Sequence, residues 1–191
     1  VQTARSLGIT VSVDLNFRSR LWKYGKSAPE VMCEIIKYAD VGIANEEDCQ
    51  RSLGIEAVVD VTRDKLDLKV YERLTREVMA AFPNLSKMAV TVRESKSVDA
   101  NTWTAVLRTK AGFLTGNKYE ITDIVDRIGG GDAFSAGLIH GLDKYKDAQE
   151  ALNFAIAASC LKHSIFGDFN LVSEEEVTKL MSGDASGRIQ R

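Results

Sequence analysis

Between positions 126 and 134 the chain reads Asp-Arg-Ile-Gly-Gly-Gly-Asp-Ala-Phe. Three consecutive glycines, Gly129, Gly130 and Gly131, free the backbone to bring several N–H groups close to one point. Phe134, Leu138 and Leu142 follow at helical spacing, so the glycines open a helix whose positive dipole end faces the same point. Asp132 stands in that first turn, where its carboxylate can accept a proton from a hydroxyl beside a bound anion. Transfer of a phosphoryl group to an alcohol in line needs both parts: donors for the transferring oxygens and an oriented nucleophile. A plainer reading makes the glycines a flexible loop and Asp132 the cap of the helix, because Asp is a preferred cap. Composition alone leaves the two readings open.

A second constellation lies near the start. Asp14, Asn16 and Arg18 occupy alternate positions at the exit of a β-branched apolar run, so their side chains face one side. A guanidinium there can grip a carboxylate or phosphate with two parallel hydrogen bonds. The plainer reading is a polar strand exit with Trp22 as local packing. Asn45-Glu46-Glu47-Asp48 reads as a helix start, with Asn45 as the cap and the acidic residues suited to the dipole. Asp48 also offers oxygen to a hard cation, through water rather than directly. Both roles are compatible. His140 and His163 have no partners at metal-ligand spacing and read as structural, as does Trp103 in an alternating strand. Cys33, Cys49 and Cys160 are an odd number at no metal-like spacing and read as reduced, mostly buried thiols of a cytoplasmic protein.

The elements that must position these groups follow from pattern. Ile9 to Leu15 reads as a buried parallel strand, Pro29 to Tyr38 as a helix, Val41 to Ala44 as a short strand, and Asn45 to Gly54 as a helix closed by glycine. Leu66, Val70, Leu74, Val78 and Phe82 recur every four residues and predict an amphipathic helix ended by Pro83. Met88 to Val92 reads as a buried strand, and the section from Thr102 to Thr122 as antiparallel edge strands. Helices are predicted from about Gly131 to Leu142 and from about Asp147 to His163, and a last one opens on the capping box of Ser173 and Glu176. Strands alternating with helices imply an α/β domain with a mostly parallel sheet, whose ligands bind beyond the carboxyl ends of the strands. A chain of 191 residues with 45% hydrophobic and 27% charged residues fits one globular domain. Its formal charge of −2 argues against a nucleic-acid partner, and no apolar run approaches membrane-spanning length.

The stretch from Asp126 to Leu142, DRIGGGDAFSAGLIHGL, resembles the second signature of ribokinase-like, PfkB-type carbohydrate kinases: an Asp, two residues, Gly-Ala/Gly-Gly-Asp, then a small and aromatic helix. It is especially similar to the 2-keto-3-deoxygluconate kinase branch, as is the stretch from His163 to Asn170. The resemblance implies a kinase using ATP and Mg2+, with Asp132 as base and the amides of Gly129 to Asp132 as an anion hole. Asp14-x-Asn16-x-Arg18 resembles the D-x-N-x-R segment of fructokinases and ketodeoxygluconate kinases. That likeness places Asp14 with the substrate, Arg18 between sugar and phosphate, and Asn16 near the nucleotide. Asn45 to Asp48 occupies the place of the family's N-x-x-E motif, with Asp48 in place of Glu, which implies Asn45 near ATP and Asp48 near magnesium through water. Thr91 to Lys96 aligns with a T-x-G-x-x-G loop at the nucleotide phosphates. Both of its glycines are replaced, by Arg93 and Lys96, leaving Thr91, Arg93 and Lys96 as the implied contacts. Ile156 falls on the helix that borders adenine in the family, where relatives often present Asn or His. It could pack on the ring without a hydrogen bond to it.

The implied fold is a three-layer α/β/α sandwich, mostly parallel with antiparallel edge strands. The family's N-terminal glycine-pair signature is absent, so residues 1–182 read as the C-terminal portion of a single kinase domain without its N-terminal part and lid. Residues 183–191 read as a polar tail. The implied reaction phosphorylates the C6 hydroxyl of 2-keto-3-deoxygluconate in a cytoplasmic protein. The partners are then a small sugar acid and ATP, the full-length protein is a homo-oligomer, and a monovalent cation is a further cofactor known in the wider family. The competing readings are another kinase of the family, such as a fructokinase or a 5-dehydro-2-deoxygluconokinase, and a noncatalytic sugar- or nucleotide-sensing module of the same fold. The retained Asp132 and intact glycine turn favour a kinase, since a sensor has no need of a base.

Overall fold

The computed structural model describes residues 1–23, 25–55, 67–95 and 100–183. In chain order these form α1 (Gln2–Ser6), β1 (Ser12–Asp14), α2 (Ala28–Ile36), β2 (Val41–Asn45), α3 (Glu46–Leu53) and α4 (Leu68–Ala81). There follow β3 (Lys87–Ser95), β4 (Ala100–Thr109), β5 (Phe113–Thr115), β6 (Tyr119–Thr122), α5 (Gly130–Lys144), α6 (Ala148–Lys162) and α7 (Glu174–Met181). The strands make one mixed sheet in the order β1-β2-β3-β4-β5, with β6 pairing β4. β1 and β2 are parallel, Ser12 opposite Val41 and Asp14 opposite Ile43. β4 and β6 are antiparallel, Trp103 opposite Tyr119, as the alternation in this section predicts. The class is α/β, in agreement with the alternating pattern of the sequence. Among the described residues no helix is long and apolar enough to cross a membrane.

By contact density the chain divides into two compact units: Val1–Val90 with Val106–Leu114, and Thr91–Ala105 with Thr115–Arg191. In the first, α2 begins on a capping box of Ser27 and Glu30 and buries Ala28, Met32 and Ile36. α3 is capped by Asn45, whose Oδ1 accepts the Asp48 N–H at 2.7 Å, and ends on Gly54 in the left-handed conformation. The buried face of α4 is Tyr71, Leu74, Thr75, Val78 and Met79, wider than the four-residue repeat. Thr75 can sit there because its hydroxyl donates to Tyr71 O at 2.8 Å and accepts from Arg108 Nε at 3.2 Å. Leu66, the first residue of that repeat, lies outside the described residues. The first strand also differs from expectation. The strand is shorter, Ser12–Asp14, with Val11 O accepting from Val41 N–H at 3.1 Å and Leu15 N–H donating to Ile43 O at 2.9 Å. Val11 and Leu15 are buried as expected, whereas Ser12 and Asp14 are exposed and Ile9 is 56% exposed. β1 is the terminal strand of the sheet order, with a neighbour on one side only.

In the second unit α5 packs along α6. Its facing positions are small: a Cβ at Gly137 would stand 3.0 Å from Ala155 Cα, and one at Gly141 2.9 Å from Ala151 Cα. These two glycines let the backbones approach within a distance no side chain allows. On another side of α6, Phe154, Ala157, Ala158 and Leu161 bury Val177 of α7, with Tyr119, Tyr145 and Leu180 around them. The α7 capping box forms as its sequence predicts, Ser173 with Glu176. The polar tail lies outside the described residues from 184 onward.

Gly141→Ala drives a methyl into the Ala151 backbone, and overpacking of this kind costs about 1–3 kcal/mol. Thermal or urea unfolding of the variant is expected to show that loss; a melting curve identical to wild type would mean that the seam has slack.

Candidate active site

Helix α5 begins from an unusual approach. Gly129 is its N-cap at φ +76°, a left-handed backbone that side-chain-bearing residues rarely adopt. A Cβ there would also fall 2.1 Å from Asp168 O, so the position admits glycine on two independent grounds. Gly130 is buried against the His163 ring, 3.1 Å from its Cε1 to the place of a Cβ. At Gly131 the situation reverses: a Cβ would meet nothing within 4 Å. The first hydrogen bond of the helix runs from Ala133 N–H to Gly129 O at 2.8 Å. The preceding first-turn amides, at Gly131 and Asp132, have no acceptor within the helix, as at any helix start. Gly131 and Asp132 are both exposed, so these two N–H groups and the Asp132 carboxylate belong to the solvent side of one turn.

Beneath the turn lies a buried polar layer supplied by α6. Ser159, fully buried, donates its hydroxyl to Gly130 O at 2.6 Å. His163 Nδ1 is 2.8 Å from Ser159 O. A carbonyl can only accept, so Nδ1 carries the ring proton. Burial pushes the imidazole below its ordinary pKa, and the positive charges of Lys162, Arg127 and Arg93 act in the same direction. Val125 and Asp126 donate their N–H groups to His163 O at 2.9 and 3.3 Å, and the His163 ring stands 5.2 Å from that of Trp103. His163 and Trp103 are thus packing residues in the second unit, as read from the sequence, but His163 packs under the glycine turn itself.

Asp126 proves to be a clasp that its place in the sequence did not reveal. One carboxylate oxygen accepts from Ile128 N–H at 2.9 Å and the other from Gly167 N–H at 2.9 Å. These bonds hold its carboxyl below the ordinary carboxylate range. The 126–128 approach and the 164–168 loop are thereby tied through one side chain.

The first unit gathers Asp14, Asn16, Arg18, Asn45 and Asp48 around the exit of β1. Ser52 Oγ donates to Leu15 O at 2.6 Å, and Phe17 N–H donates to Asp48 Oδ1 at 3.0 Å, strapping the exit to α3. Asp14 Oδ1 accepts from Asn16 N–H at 3.2 Å. A cleft of about 440 Å³ opens here, lined among others by Arg18, Arg20, Asn45, Asp48 and Arg51. Burial raises the pKa of Asp48, against the Phe17 hydrogen bond and the nearby Arg18 charge. With one oxygen already committed to Phe17, and with no cluster of three His, Cys, Asp or Glu among the described residues, this unit presents no resident metal cage. A single carboxylate such as Asp48 suits at most a hydrated magnesium ion that takes most of its ligands from elsewhere.

The remaining expected residues are scattered. Thr91 is half-buried and Arg93 exposed on β3, while Lys96 lies outside the described residues. Ile156 is fully buried in α6, its Cδ1 filling the space beside Gly116, so it has no exposed surface with which to meet an adenine ring.

Comparison with known proteins supplies a context for these groups. The profile of the pfkB family of carbohydrate kinases matches residues 1–170. A 2-dehydro-3-deoxygalactonokinase from Haloferax volcanii is 29% identical over 188 residues, 98% of this chain and 52% of its own. The crystal structure of a 2-dehydro-3-deoxygluconokinase from Thermotoga maritima superposes with a TM-score of 0.84 at 42% identity, covering 95% of this chain and 53% of that one. A PfkB family carbohydrate kinase from Listeria grayi superposes with a TM-score of 0.79 at 28% identity, covering 95% and 52%. The chain therefore spans about half the length of these relatives.

The glycines of the turn separate by substitution. Gly131→Ala is expected to fold at least as stably as wild type, because Ala is favoured over Gly in a helix by about 0.5–1 kcal/mol, yet to weaken nucleotide binding by crowding the open side. Gly129→Ala should lower stability outright. Calorimetric titration with ADP beside thermal melts checks the pair; full nucleotide affinity in Gly131→Ala would remove the open side from the site.

Proposed function

The chain belongs to the pfkB family of carbohydrate kinases, and from that premise we propose that the protein transfers the γ-phosphoryl group of ATP to the C6 hydroxyl of 2-keto-3-deoxygluconate. What supports this reading most is one arrangement: the amides of Gly131 and Asp132 on the open side of a first turn, with the Asp132 carboxylate exposed beside them. In the proposed reaction Asp132 takes the proton of the primary hydroxyl while its oxygen forms a bond to phosphorus. The bond from phosphorus to the β,γ-bridging oxygen breaks, and ADP leaves with the electron pair. Of the turn's amides from Gly129 to Asp132, those of Gly131 and Asp132 would receive the charge carried by the equatorial oxygens, since the Gly130 N–H donates to Arg127 O at 3.3 Å. Such a role is usually filled by fixed donors. Arg93 and Arg127 would add positive charge on the nucleotide side, with Thr91 and Lys96 as further contacts. Asn45 and Asn16 would lie near the nucleotide, and Asp48 would hold Mg2+ through water.

The acidic sugar is proposed on two supports. A relative 42% identical over 95% of the chain is named for 2-dehydro-3-deoxygluconate. The cleft of the first unit carries Arg18, Arg20 and Arg51, and guanidinium groups match a carboxylate in geometry and charge. Asp14 would take a sugar hydroxyl. The curated relative named for the galacto epimer makes that epimer the nearest competitor.

A coupled ADP-release assay on the whole gene product tests the reading, offering 2-keto-3-deoxygluconate, its galacto epimer, fructose and ribose. Preference for the gluco acid is expected, and Asp132→Asn should lower turnover by about 100- to 10,000-fold, the usual contribution of a positioned base. Preference for the epimer or for fructose would keep the reaction and remove the substrate. Ligand binding without any turnover would favour a sensing module. Arg18→Ala should raise KM for an acidic sugar by about tenfold or more relative to a neutral one, since a hydrogen bond to a charged group contributes about 1.5–3 kcal/mol; equal losses for both would exclude Arg18 from carboxylate recognition.

A further inference from the structure

We infer that Ser159, one helix away from the glycine turn, is a positioning residue that aims the Gly131 amide at the phosphoryl group in flight; this rests on the kinase reading above. A helical serine ordinarily returns its hydroxyl proton to the carbonyl four residues back. Ser159 instead sends it across to Gly130 O, 29 residues away in sequence, at 2.6 Å and with the residue fully buried. The carbonyl of Gly130 and the N–H of Gly131 are the two ends of one planar trans peptide, so they point in opposite directions. A donor that holds the oxygen toward α6 therefore turns the Gly131 N–H away from α6. Gly131 itself is exposed, and a Cβ on it would meet nothing within 4 Å, so the turn is open at this residue.

The donor is itself held. His163 Nδ1 contacts Ser159 O at 2.8 Å, and the same ring fills the space against Gly130, 3.1 Å from where a Cβ would stand. Peptide 130–131 is thus gripped at its oxygen by Ser159 and along its Cα by His163, while its amide end stays uncovered. Twisting of this peptide would tilt the donor away from the oxygen it must meet, and a misplacement of about 1 Å can cost on the order of 100-fold in rate. The sequence gives no sign of this role, because Ser159 lies in the alanine-rich second half of a helix that is buried around most of its circumference.

Ser159→Ala and Ser159→Cys test it in the whole gene product. Ala removes the donor, and Cys keeps the volume with a weak donor. Circular dichroism melts identify a variant that fails to fold, in which case the other decides. Turnover is expected to fall by about 10- to 100-fold, with KM for sugar and ATP changed less than about threefold. Affinity for ADP with aluminium fluoride, which mimics the transferring group, should fall in parallel with kcat, while affinity for ADP alone is retained. A purely structural role would move KM and kcat together or leave both. Wild-type turnover in a folded Ser159→Ala overturns the inference. Should wild type prove to have no kinase activity, the kinase reading fails separately, and titration with inorganic phosphate followed by the Gly131 and Asp132 amide resonances decides. Weakening by about tenfold in Ser159→Ala sustains the inference; an unchanged titration, or no response in wild type, ends it.

Discussion

The bond from the buried Ser159 hydroxyl to the Gly130 carbonyl carries more of the second unit than its size suggests. A buried carbonyl or hydroxyl left without a partner costs about 1–3 kcal/mol, so the two groups stabilise the interior only as a pair. Their meeting requires α5 to lie close on α6, which Gly137 and Gly141 permit by presenting no side chain to Ala155 and Ala151. It also requires the chain to enter α5 through a left-handed residue, which Gly129 supplies beside Asp168 O. Helix seam, entry turn and polar layer are therefore parts of one constraint. Of the five glycines at this turn and seam, Gly129, Gly130, Gly137 and Gly141 each answer to a different neighbour, and a Cβ on Gly131 would meet nothing within 4 Å.

What could be read from the sequence was what is local in it. Three glycines followed by Asp132 and an apolar helix face are adjacent letters, so the turn and the helix it opens were legible at once. Asn45 as a cap and Ser173 with Glu176 as a capping box depend on spacings of three, and both formed as read. Bonds between distant segments left no trace. Phe17 with Asp48 is separated by 31 residues, Ser159 with Gly130 by 29, and Asp126 with Gly167 by 41. Periodicity marked α4 and its buried Leu74, Val78 and Phe82, but missed Tyr71 and a satisfied Thr75, which tertiary packing adds to the same face. It was silent in α6, which is buried around most of its circumference and so shows no amphipathic face to read. That silence hid Ser159 and His163, and it is also why Ile156 could pass as a ligand contact when its side chain is core.

The two units hold chemistry of different kinds. In the first, the polar groups are side chains: three arginines, Asn45 and Asp48 around a cleft. In the second, main-chain amides at Gly131 and Asp132 join side chains, among them the carboxylates of Asp126 and Asp132. Side chains can be exchanged one at a time, whereas an amide can be altered only by moving the backbone that bears it. An arrangement of this kind can vary what is recognised in one unit and leave the donors of the other untouched.

The two-handed grip of Asp126 has a consequence for the order of the chain around it. One carboxylate holds the approach to the turn by one oxygen and the neighbouring loop by the other. Neither segment can rearrange without straining the bond to its companion. Displacing either segment costs the carboxylate one of its two hydrogen bonds, so disorder in one is felt at the anchor of the other.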